Sequence, residues 1–345
     1  MSSKIHTAVV GATGYSGIEL MRLLARHPYM EVVLATSRQL AGQSVGEAYP
    51  KLRGLLEGLV FSASDPVALA SQTDVDVFFL ALPHGVATQF ARPLFDAGKV
   101  VIDLSADFRL GSPEVYEEFY GTEHPDKKLL ETGAYVIPEI HGMESLRDHR
   151  LFACPGCYPT SIQLPLTPLL KANLVRSDDI VVNSLSGVSG AGKKLAENYL
   201  FCERSESSVA YGLPKHRHLS EIEEQLSAVA GKSVVIQFCP HLVPMQRGIV
   251  STISVPAIAS LDAVYDCWNS VYAKSPFVKV LPTGTFPDSQ HVTGTNRADI
   301  SAVLDERTGR FLLTSAEDNL IKGASGQAIQ IANLRFGFPE TAGLL

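Results

Sequence analysis

The chain has 345 residues, 46% hydrophobic and 19% charged, which predicts a sizeable core in two domains or one large α/β unit. Its formal charge is −7 and no stretch is rich in Lys or Arg, which argues against nucleic-acid binding. No apolar run is long enough to cross a bilayer, and the N-terminus lacks a signal-peptide pattern. The five scattered cysteines do not resemble a disulfide framework, so a reducing, cytoplasmic location is expected.

A strand, a glycine-rich turn and a helix open the chain. The apolar run over residues 5–10 ends at Gly11, and apolar residues recur at helical spacing over 18–26. The glycines between them follow G-x-x-G-x-x-G, a variant of the dinucleotide fingerprint that lets phosphate approach the backbone at a helix N-terminus. A tight structural turn is the alternative. The position after a first strand favours cofactor binding and predicts these contacts: Gly11, Thr13, Gly14, Tyr15, Ser16 and Gly17.

The second predicted strand, residues 31–36, lacks the acidic residue that NAD-preferring sites usually place at its end, on the ribose hydroxyls. Ser37 and Arg38 follow the strand instead, and a hydroxyl with a guanidinium suits a 2′-phosphate. We therefore predict NADP, bound by Ser37 and Arg38. The alternative is that Arg38 is a solvated loop residue.

Two more strands of this half are predicted over residues 75–82 and 99–104. Loops at the carboxyl ends of parallel strands line the ligand crevice, so His84 is a candidate cofactor contact, although an ordinary loop histidine fits as well. Ser105 and Arg109 follow the second strand and are candidates for binding an anionic substrate group. Residues 111–135 are polar and contain Pro and Gly, which predicts an extended connection to a second domain.

A cysteine turn near the midpoint carries the chemistry. Cys157 lies between a predicted strand and a helix expected to begin after Pro159, where helix amides favour a thiolate and could hold an oxyanion. Pro165 and Pro168 are expected to kink or shorten that helix. With Cys154 the turn forms C-x-x-C, so a redox pair, half a zinc site and an inert buried cysteine are the alternatives. No second cysteine pair exists, and no metal is expected.

Three segments after Cys157 supply candidate polar groups. A strand over 179–184 runs into Gly187 to Lys194, which nearly matches a phosphate loop but has Lys194 where the magnesium-binding Ser or Thr belongs. A glycine-rich substrate loop is therefore favoured over an NTPase site. Arg247 precedes a predicted strand over 250–255 and could bind a second anionic group. Predicted strands at 297–303 and 310–313 make this half α+β, and a helix near 327 is expected to return to the first domain.

A histidine pair provides the candidate acid/base group. His218 and Glu221 are three residues apart on a predicted helix and share a face, and a carboxylate that orients a histidine is a common acid/base arrangement. His216 lies just before that helix. The sequence leaves open which histidine acts. The alternatives are a metal site, which lacks a nearby third ligand, and a surface helix with solvated histidines.

In this order the motifs resemble the N-acetyl-gamma-glutamyl-phosphate reductases, type 1, over essentially the whole chain. The segments that carry the resemblance are residues 11–17, 82–85, 103–109, 155–160, 187–193, 216–221, 242–248 and 318–327. The resemblance implies a Rossmann-type NAD(P)-binding domain over 1–150 plus 316–345. It also implies an α+β catalytic domain over 151–315, of the semialdehyde dehydrogenase or glyceraldehyde-3-phosphate dehydrogenase-like kind. The implied assembly is a homo-oligomer, a dimer or tetramer.

The resemblance also implies a reaction: NADPH reduces N-acetyl-L-glutamyl 5-phosphate to the 5-semialdehyde and phosphate in arginine biosynthesis, through a thioester on Cys157. His216 or His218, with Glu221, would serve proton transfer. The matched segments add further candidates, Pro83 and Asn319 for the cofactor and Ser189 and Gly190 for the substrate, beside Arg247.

This sequence departs from the family pattern at Cys154, where Asn is usual, and at Ser220, where Pro is common. The related aspartate-semialdehyde dehydrogenases have a histidine at the position of Ile249, so a histidine of 216–218 must replace it. Two competing interpretations remain. One is the same chemistry on aspartyl phosphate or carrier-bound aminoadipyl phosphate. The other is a nucleotide-binding redox sensor that pairs Cys154 with Cys157.

Overall fold

The computed structural model describes residues 4–142, 144 and 147–345, which form two compact units. The first unit runs to Glu117 and includes Thr122–Pro155 and Ala324–Leu345, and the second comprises Glu118–Gly121 and Gly156–Gly323. The predicted domain boundaries lie after residues 150 and 315, whereas the units divide after 155 and 323. Cys157 therefore stands at the start of the second unit.

A seven-stranded parallel sheet forms the centre of the first unit, in the order β3-β2-β1-β4-β5-β7-β6. The first strand, β1, lies inside the sheet: β2 and β3 are added on one side of it, and β4 and the later strands are added on the other side. Ligands of such sheets bind at this switch point between β1 and β4, outside the carboxyl ends of the strands. The four residues of β4 are completely buried, as the apolar run predicts. The strands are β1 (Ile5–Val10), β2 (Met30–Thr36), β3 (Phe61–Ser62), β4 (Val77–Leu80), β5 (Val100–Asp103), β6 (Ala134–Tyr135) and β7 (Leu151–Ala153).

In the part of the chain that the structure describes, seven α-helices connect these strands: α1 (Tyr15–Leu24), α2 (Val45–Ala48), α3 (Pro66–Ala70), α4 (Ala87–Asp96), α5 (Pro113–Tyr120), α6 (Lys127–Leu130) and α7 (Pro138–His141). The predicted extended connection over 111–135 is wrong, because this stretch contains α5 and α6. Asp126 caps α6 by accepting a hydrogen bond from the Leu129 N–H, and Tyr116 of α5 is buried. Polar residues that look like a linker in the sequence are thus helix caps.

The second unit is built on a mixed seven-stranded sheet, in the order β12-β13-β14-β11-β8-β10-β9. The β8–β10 and β12–β13 pairs are parallel and the others are antiparallel, which agrees with the predicted α+β character. The strands are β8 (Ile180–Ser186), β9 (Val209–Ala210), β10 (Ile236–Leu242), β11 (Ile249–Pro256), β12 (Val278–Val280), β13 (Ala298–Asp305) and β14 (Arg310–Glu317).

The helices of the second unit are α8 (Cys157–Lys171), α9 (Phe201–Arg204), α10 (His218–Ala230), α11 (Leu261–Tyr272) and α12 (Ser289–Val292). Of these, α8, α10 and α11 pack together on one face of the sheet, where Val182, Ile253 and Leu313 are fully buried. A π-helical turn at Ile321–Ser325 leads into α13 (Gly326–Arg335), which belongs to the first unit as expected for the returning helix. No helix in the described part of the chain has the length and apolar character needed to cross a membrane.

Helix α8 begins at Cys157, so the predicted start after Pro159 is wrong, and it runs through Pro165 and Pro168 to Lys171, so these prolines do not end it. Each proline lacks the N–H that would bond to the carbonyl four residues earlier. Side-chain hydroxyls of the sheet and of α11 bond to those carbonyls instead. Ser315 Oγ donates to Ser161 O at 2.6 Å, and Tyr272 Oη donates to Leu164 O at 2.5 Å. The backbone acceptors are therefore satisfied and the helix remains continuous.

Candidate active site

The glycine turn of the first unit forms a close-packed cradle at the start of α1. Gly11 has φ +80°, and a Cβ built on it would lie 2.5 Å from Ala81 O; a Cβ on Gly17 would lie 2.4 Å from Gly11 O. Gly14 is the N-cap of α1 and offers no side-chain cap, so the helix start presents its backbone to an anion. The cradle has no room for side chains at Gly11 and Gly17, as a dinucleotide turn requires.

The loop after β2 has a buried hydroxyl and an exposed guanidinium. Ser37 Oγ accepts hydrogen bonds from the N–H groups of Gln39 and Leu40 and lies 3.4 Å from Thr13 Oγ1. Its hydroxyl therefore shapes the loop beside the glycine turn. Arg38 is exposed, and binding of a 2′-phosphate by Ser37 and Arg38 stays a prediction.

Asp107 joins the loops that follow β4 and β5, and the sequence analysis did not single it out. It is fully buried, and its carboxylate accepts hydrogen bonds from Gly85 N at 2.6 Å and from Thr88 N and Oγ1 at 3.0 and 2.9 Å. Pro83 and His84, the predicted cofactor contacts, are exposed in the first of these loops. The repeated acidic residues of 103–107 were the only sequence signal for this role.

Ser105 and Arg109, the predicted substrate-binding residues of the first unit, are largely buried and bonded within their own loop. Ser105 Oγ donates to Asp103 Oδ2 at 2.7 Å, and Arg109 Nη2 donates to Leu104 O at 2.9 Å. Burial, with the nearby Asp107 carboxylate, raises the pKa of Asp103 to about 7. These contacts define the loop's conformation, and substrate binding by Ser105 and Arg109 stays a prediction.

Cys157 is the first residue of α8, and Gly156 is the N-cap. The buried carboxylate of Glu221 on α10 accepts a hydrogen bond from Gly156 N at 2.8 Å, which fixes the turn that presents the thiol. The thiol is half-buried at the positive end of a 15-residue helix, where a thiolate is favoured. Cys154 is completely buried at the end of β7 in the first unit, and none of the five cysteines forms a disulfide.

The two histidines lie in different environments. His216 sits among aromatic rings, with centroids 5.6 Å from Tyr158, 5.5 Å from Tyr211 and 5.6 Å from Phe238. Burial lowers its pKa to about 4, and its Nδ1 accepts a hydrogen bond from His218 N. His216 is therefore neutral near pH 7 and serves as an acceptor for the start of α10.

His218 is the first residue of α10, one turn before Glu221, and it is half-buried. Its ring centroid lies 5.9 Å from that of Tyr158. Both neighbours of Cys157 are thus in contact with this helix turn, Gly156 through Glu221 and Tyr158 through His218. Tyr158 Oη and Tyr211 Oη are 2.9 Å apart, and burial raises the pKa of both phenols. The sequence analysis missed both tyrosines, although Tyr158 directly follows the cysteine.

Two loops of the second unit carry the remaining predicted substrate residues. Ser189 and Gly190 lie in a single 3₁₀ turn, Val188–Ala191, after β8, and the next α-helix begins only at Phe201, whereas a phosphate loop leads directly into a helix. This turn is bonded to the loop before β11, since Ser189 N donates to Gln246 O. Arg247 follows in that loop, with its Nε 3.7 Å from the buried Asp318 carboxylate. The structure brings these predicted residues together on adjacent loops.

Asn319 was predicted to contact the cofactor, and its amide lies between these two loops. Its Oδ1 accepts from Gly248 N at 2.8 Å and its Nδ2 donates to Ser189 Oγ at 3.0 Å. The side chain is only 3% exposed. Cofactor contact by Asn319 stays a prediction, and its observed partners belong to the substrate loops.

This chain is similar to known proteins along almost its whole length. The protein-family model for the semialdehyde dehydrogenase, NAD binding domain, matches residues 6–149. The family model for the semialdehyde dehydrogenase, dimerisation domain, matches residues 157–319. A relative from Akkermansia muciniphila named N-acetyl-gamma-glutamyl-phosphate reductase is 52% identical and covers 99% of both chains. The chain belongs to the N-acetyl-gamma-glutamyl-phosphate reductase family. Relatives of that name from Pelobacter propionicus and Desulforudis audaxviator are 45% identical over 99% of this chain and 98% of theirs.

Solved structures confirm the predicted fold class for this reductase family member. Aspartate semialdehyde dehydrogenase II of Vibrio cholerae complexed with ASA matches with a TM-score of 0.73 at 18% identity, over 97% of this chain and 99% of that one. A probable aspartate-semialdehyde dehydrogenase from Pseudomonas aeruginosa matches with a TM-score of 0.70 at 19% identity and the same coverage. Identity this low shows the fold alone: a Rossmann-type domain with an α+β domain.

Family membership also implies a nicotinamide cofactor, and the glycine cradle fits one. The match to the NAD-binding family model includes the cradle. There, Gly11 and Gly17 leave no room for a Cβ, and no side chain caps the start of α1. A dinucleotide needs this close approach of its pyrophosphate to the backbone. The resemblance and the nicotinamide class of the cofactor are thereby confirmed.

Proposed function

We propose that this protein reduces N-acetyl-L-glutamyl 5-phosphate to N-acetyl-L-glutamate 5-semialdehyde and phosphate with NADPH, a step of arginine biosynthesis. The observation that carries the proposal is Cys157 at the start of α8, in a turn fixed by Glu221, in a chain 52% identical along its length to a relative named for this reaction. The Cys157 thiolate attacks the acyl carbonyl and a C–S bond forms. The C–O bond to phosphate breaks, and phosphate leaves with its electron pair.

The first unit would hold the cofactor. Gly11, Gly14 and Gly17 provide the pyrophosphate cradle, and the exposed Arg38 would meet a 2′-phosphate in the absence of an acidic residue at the end of β2. NADPH held there would supply a hydride to the thioester carbon, and breaking of the C–S bond would then release the semialdehyde and return Cys157 to its thiolate. Asp107 keeps the two adjacent loops in a fixed arrangement.

His218 is our candidate for proton transfer. His216 is buried, has its pKa lowered to about 4, and uses Nδ1 to hold the backbone of His218, so it does not suit proton exchange near pH 7. His218 is half-buried at the helix turn that contacts both neighbours of Cys157. We propose that Glu221 positions the nucleophile's turn through the Gly156 amide.

Arg247, Ser189 and Gly190 are our candidates for holding the anionic groups of the substrate. They lie on two adjacent loops bonded through backbone hydrogen bonds, and Arg matches phosphate or carboxylate geometry. Ser105 and Arg109 are bonded within their own loop, so we assign them chiefly to maintaining its conformation.

The reverse reaction tests the function directly. Purified protein would receive N-acetylglutamate semialdehyde, phosphate and NADP, and formation of reduced cofactor would be followed by absorbance. Parallel reactions would contain NAD, aspartate semialdehyde, or no phosphate. Phosphate-dependent reduction of NADP with the acetylated substrate supports the proposal. Activity only with aspartate semialdehyde would contradict it and indicate the same chemistry on aspartyl phosphate. Cys157→Ser should lose turnover yet keep NADPH binding; retained turnover would contradict the mechanism.

We propose that two copies associate through the open face of the second unit's sheet. The helices cover one face, while alternate side chains of the central strands on the other stay exposed or half-buried, including Leu185 at 43% exposure. The matching model is described as a dimerisation domain. Light scattering should show an oligomer that Leu185→Glu weakens. Val235→Glu, at an apolar side chain 70% exposed before β10, is the matched control. An unchanged mass for Leu185→Glu would contradict this interface.

We also propose a reducing, cytoplasmic location, because the mechanism needs Cys157 as a thiolate. The redox-sensor alternative would give the protein a disulfide between Cys154 and Cys157 under mild oxidation. Thiol titration before and after oxidant separates the two. A reversible loss of two thiols without a loss of folding favours the sensor, whereas catalytic turnover with five titratable thiols favours the reductase.

A further inference from the structure

Cys239 and His241 lie together on the open face of the second unit's sheet. They are two residues apart on β10, so their side chains leave the strand on the same side. Phe238 points to the opposite side, since it is buried and its ring contacts that of Tyr158 on α8. Cys239 and His241 are both half-buried, and Cys239 Sγ lies 4.0 Å from His241 Nε2. A thiol and an imidazole with no role in the proposed reaction therefore meet on the side away from the helices.

The histidine is held in the tautomer that suits a metal ligand. His241 Nδ1 lies 3.2 Å from the backbone oxygen of Cys239, which can only accept a hydrogen bond, so Nδ1 carries the hydrogen and donates it. In the neutral ring Nε2 then keeps its lone pair, and Nε2 is the nitrogen that faces the sulfur. Histidines that bind metals usually donate their other N–H in this way, often to a backbone carbonyl. The ring therefore presents a lone pair beside the thiol.

The separation of these two atoms fits a single zinc ion. Zn–S and Zn–N bonds of about 2.3 and 2.0–2.1 Å at a tetrahedral angle put sulfur and nitrogen about 3.6 Å apart. The observed distance of 4.0 Å needs a closure of only about 0.4 Å to reach this value. The expectation that no metal binds considered Cys154 with Cys157 and the histidines of 216–218, and did not include this pair.

One chain supplies only part of a closed zinc site. In the part of the chain that the structure describes, no three His, Cys, Asp or Glu side chains are grouped so that they could hold a metal ion. The pair adjoins the surface through which we propose that two copies associate, because Leu185 on β8 is the register partner of His241, and Asn183 is that of Cys239. Both of these neighbours are exposed. A two-fold interface brings the same patch of both copies into contact, so a second Cys–His pair can meet the first.

We propose that Cys239 and His241 bind Zn²⁺ together with the same pair of a second copy, in a tetrahedral site of two thiolates and two imidazoles across the interface. Each thiol releases its proton to solvent when its sulfur binds the metal. Two thiolates balance the charge of one Zn²⁺, so the site can be enclosed beside Leu185, whereas a single pair would leave one positive charge there. The proposal goes beyond the proposed reaction and rests on the proposed interface. The bound ion would link the two copies.

Metal binding is measured on the full chain carrying Cys157→Ser, which removes the thiol of the proposed active site as a competing ligand. Metal-free, reduced protein is titrated with Co²⁺, whose visible absorption reports tetrahedral thiolate ligation, and Zn²⁺ then displaces the Co²⁺. We expect one ion per two chains. Adding Cys239→Ser should abolish the thiolate absorption. Adding His241→Gln should weaken Zn²⁺ binding about 100-fold or more, because loss of an outer-shell partner alone costs about 10–100-fold.

Sedimentation shows whether the ion links two copies. An ion that binds only the associated form strengthens association, so excess Zn²⁺ should lower the dissociation constant of the two copies about tenfold or more. Cys239→Ser should remove this effect and leave metal-free association unchanged. Leu185→Glu without metal tests the interface separately. If it leaves the mass unchanged, the proposed interface has failed; if it weakens association but Zn²⁺ has no effect on wild type, only the zinc site has failed.

Matched controls are Cys202→Ser and His291→Gln, at exposed positions on α9 and α12, and both should keep the zinc affinity of the parent protein. Zinc affinity unchanged by Cys239→Ser would mean adventitious binding only and would overturn the proposal, as would one ion per chain. If His241→Gln does not fold, as judged by thermal melting, Cys239→Ser decides the question. A wild-type protein without phosphate-dependent NADP reduction would end the proposed function and leave the zinc result standing, since metal binding needs no turnover.

Discussion

Gly323 lies against Cys157, the proposed nucleophile, and a single methyl group there tests the arrangement of this turn. A Cβ built on Gly323 would lie 2.7 Å from Cys157 Cβ, 3.0 Å from Cys157 Cα and 2.9 Å from Oε1 of the buried Glu317. Ordinary carbon contacts are about 3.5–4.0 Å, so the methyl group of Gly323→Ala overlaps Cys157 by about an ångström. Neither Cys157 atom is the end of a flexible side chain, so either the turn at Cys157 or the π-helical turn must move.

The expected cost has two parts. Overpacking of this kind destabilises a protein by about 1–3 kcal/mol, which would lower the melting temperature by several degrees. A displacement of about 1 Å at a reacting group can reduce the rate by about 10²-fold. Helix α8 resists movement because Ser315 and Tyr272 hold its carbonyls, so the strain falls on the first turn, where Cys157 lies. We expect kcat/KM to fall about 100-fold in Gly323→Ala.

Three measurements check this. The reverse assay gives kcat/KM, alkylation by iodoacetamide followed by peptide mass spectrometry gives the reactivity of Cys157, and thermal melting gives stability. Gly46→Ala is the matched control, since the nearest atom to its built Cβ is at 3.6 Å and its φ is not positive; it should leave kcat/KM unchanged. A Gly323→Ala enzyme with kcat/KM within threefold of wild type would refute the packing argument.

Three other predictions concern stability. Glu221→Ala leaves Gly156 N without its acceptor and should cost about 1–3 kcal/mol, while Glu221→Gln keeps an acceptor and should melt near the wild-type temperature. Asp107→Asn turns an NH₂ group towards backbone donors of the β4–α4 loop and should cost about 1–3 kcal/mol in urea unfolding; an unchanged midpoint would contradict this. His216 has its pKa lowered from 6.5 to about 4, so the unfolded chain binds more protons between these values and stability falls as the pH drops through them. His216→Asn, which can still accept from the backbone N–H, should flatten that decline relative to wild type, and parallel melting curves would show that His216 is not the cause.

Local patterns in the sequence predicted a large part of the fold. The first strand is observed at Ile5–Val10, and the apolar runs that follow it are strands of the first unit's parallel sheet. The turn spacing predicted the glycine cradle, and the position of Cys157 beside a helix start was recognisable from its flanking residues. The prediction failed for residues 111–135, because their polar residues cap helices and look like a linker without their partners.

The sequence by itself indicated the first strands of the parallel sheet, the glycine cradle and a cysteine beside a helix start, because these depend on residues close together along the chain. Only the tertiary structure decided how the site is held. Gly156 meets Glu221 across 65 residues, and Ser161 meets Ser315 across 154. Burial among rings brought together by folding distinguishes His216 from His218. Such contacts have no fixed spacing in the chain, so hydrogen-bond satisfaction and desolvation in the folded state, rather than local pattern, set them.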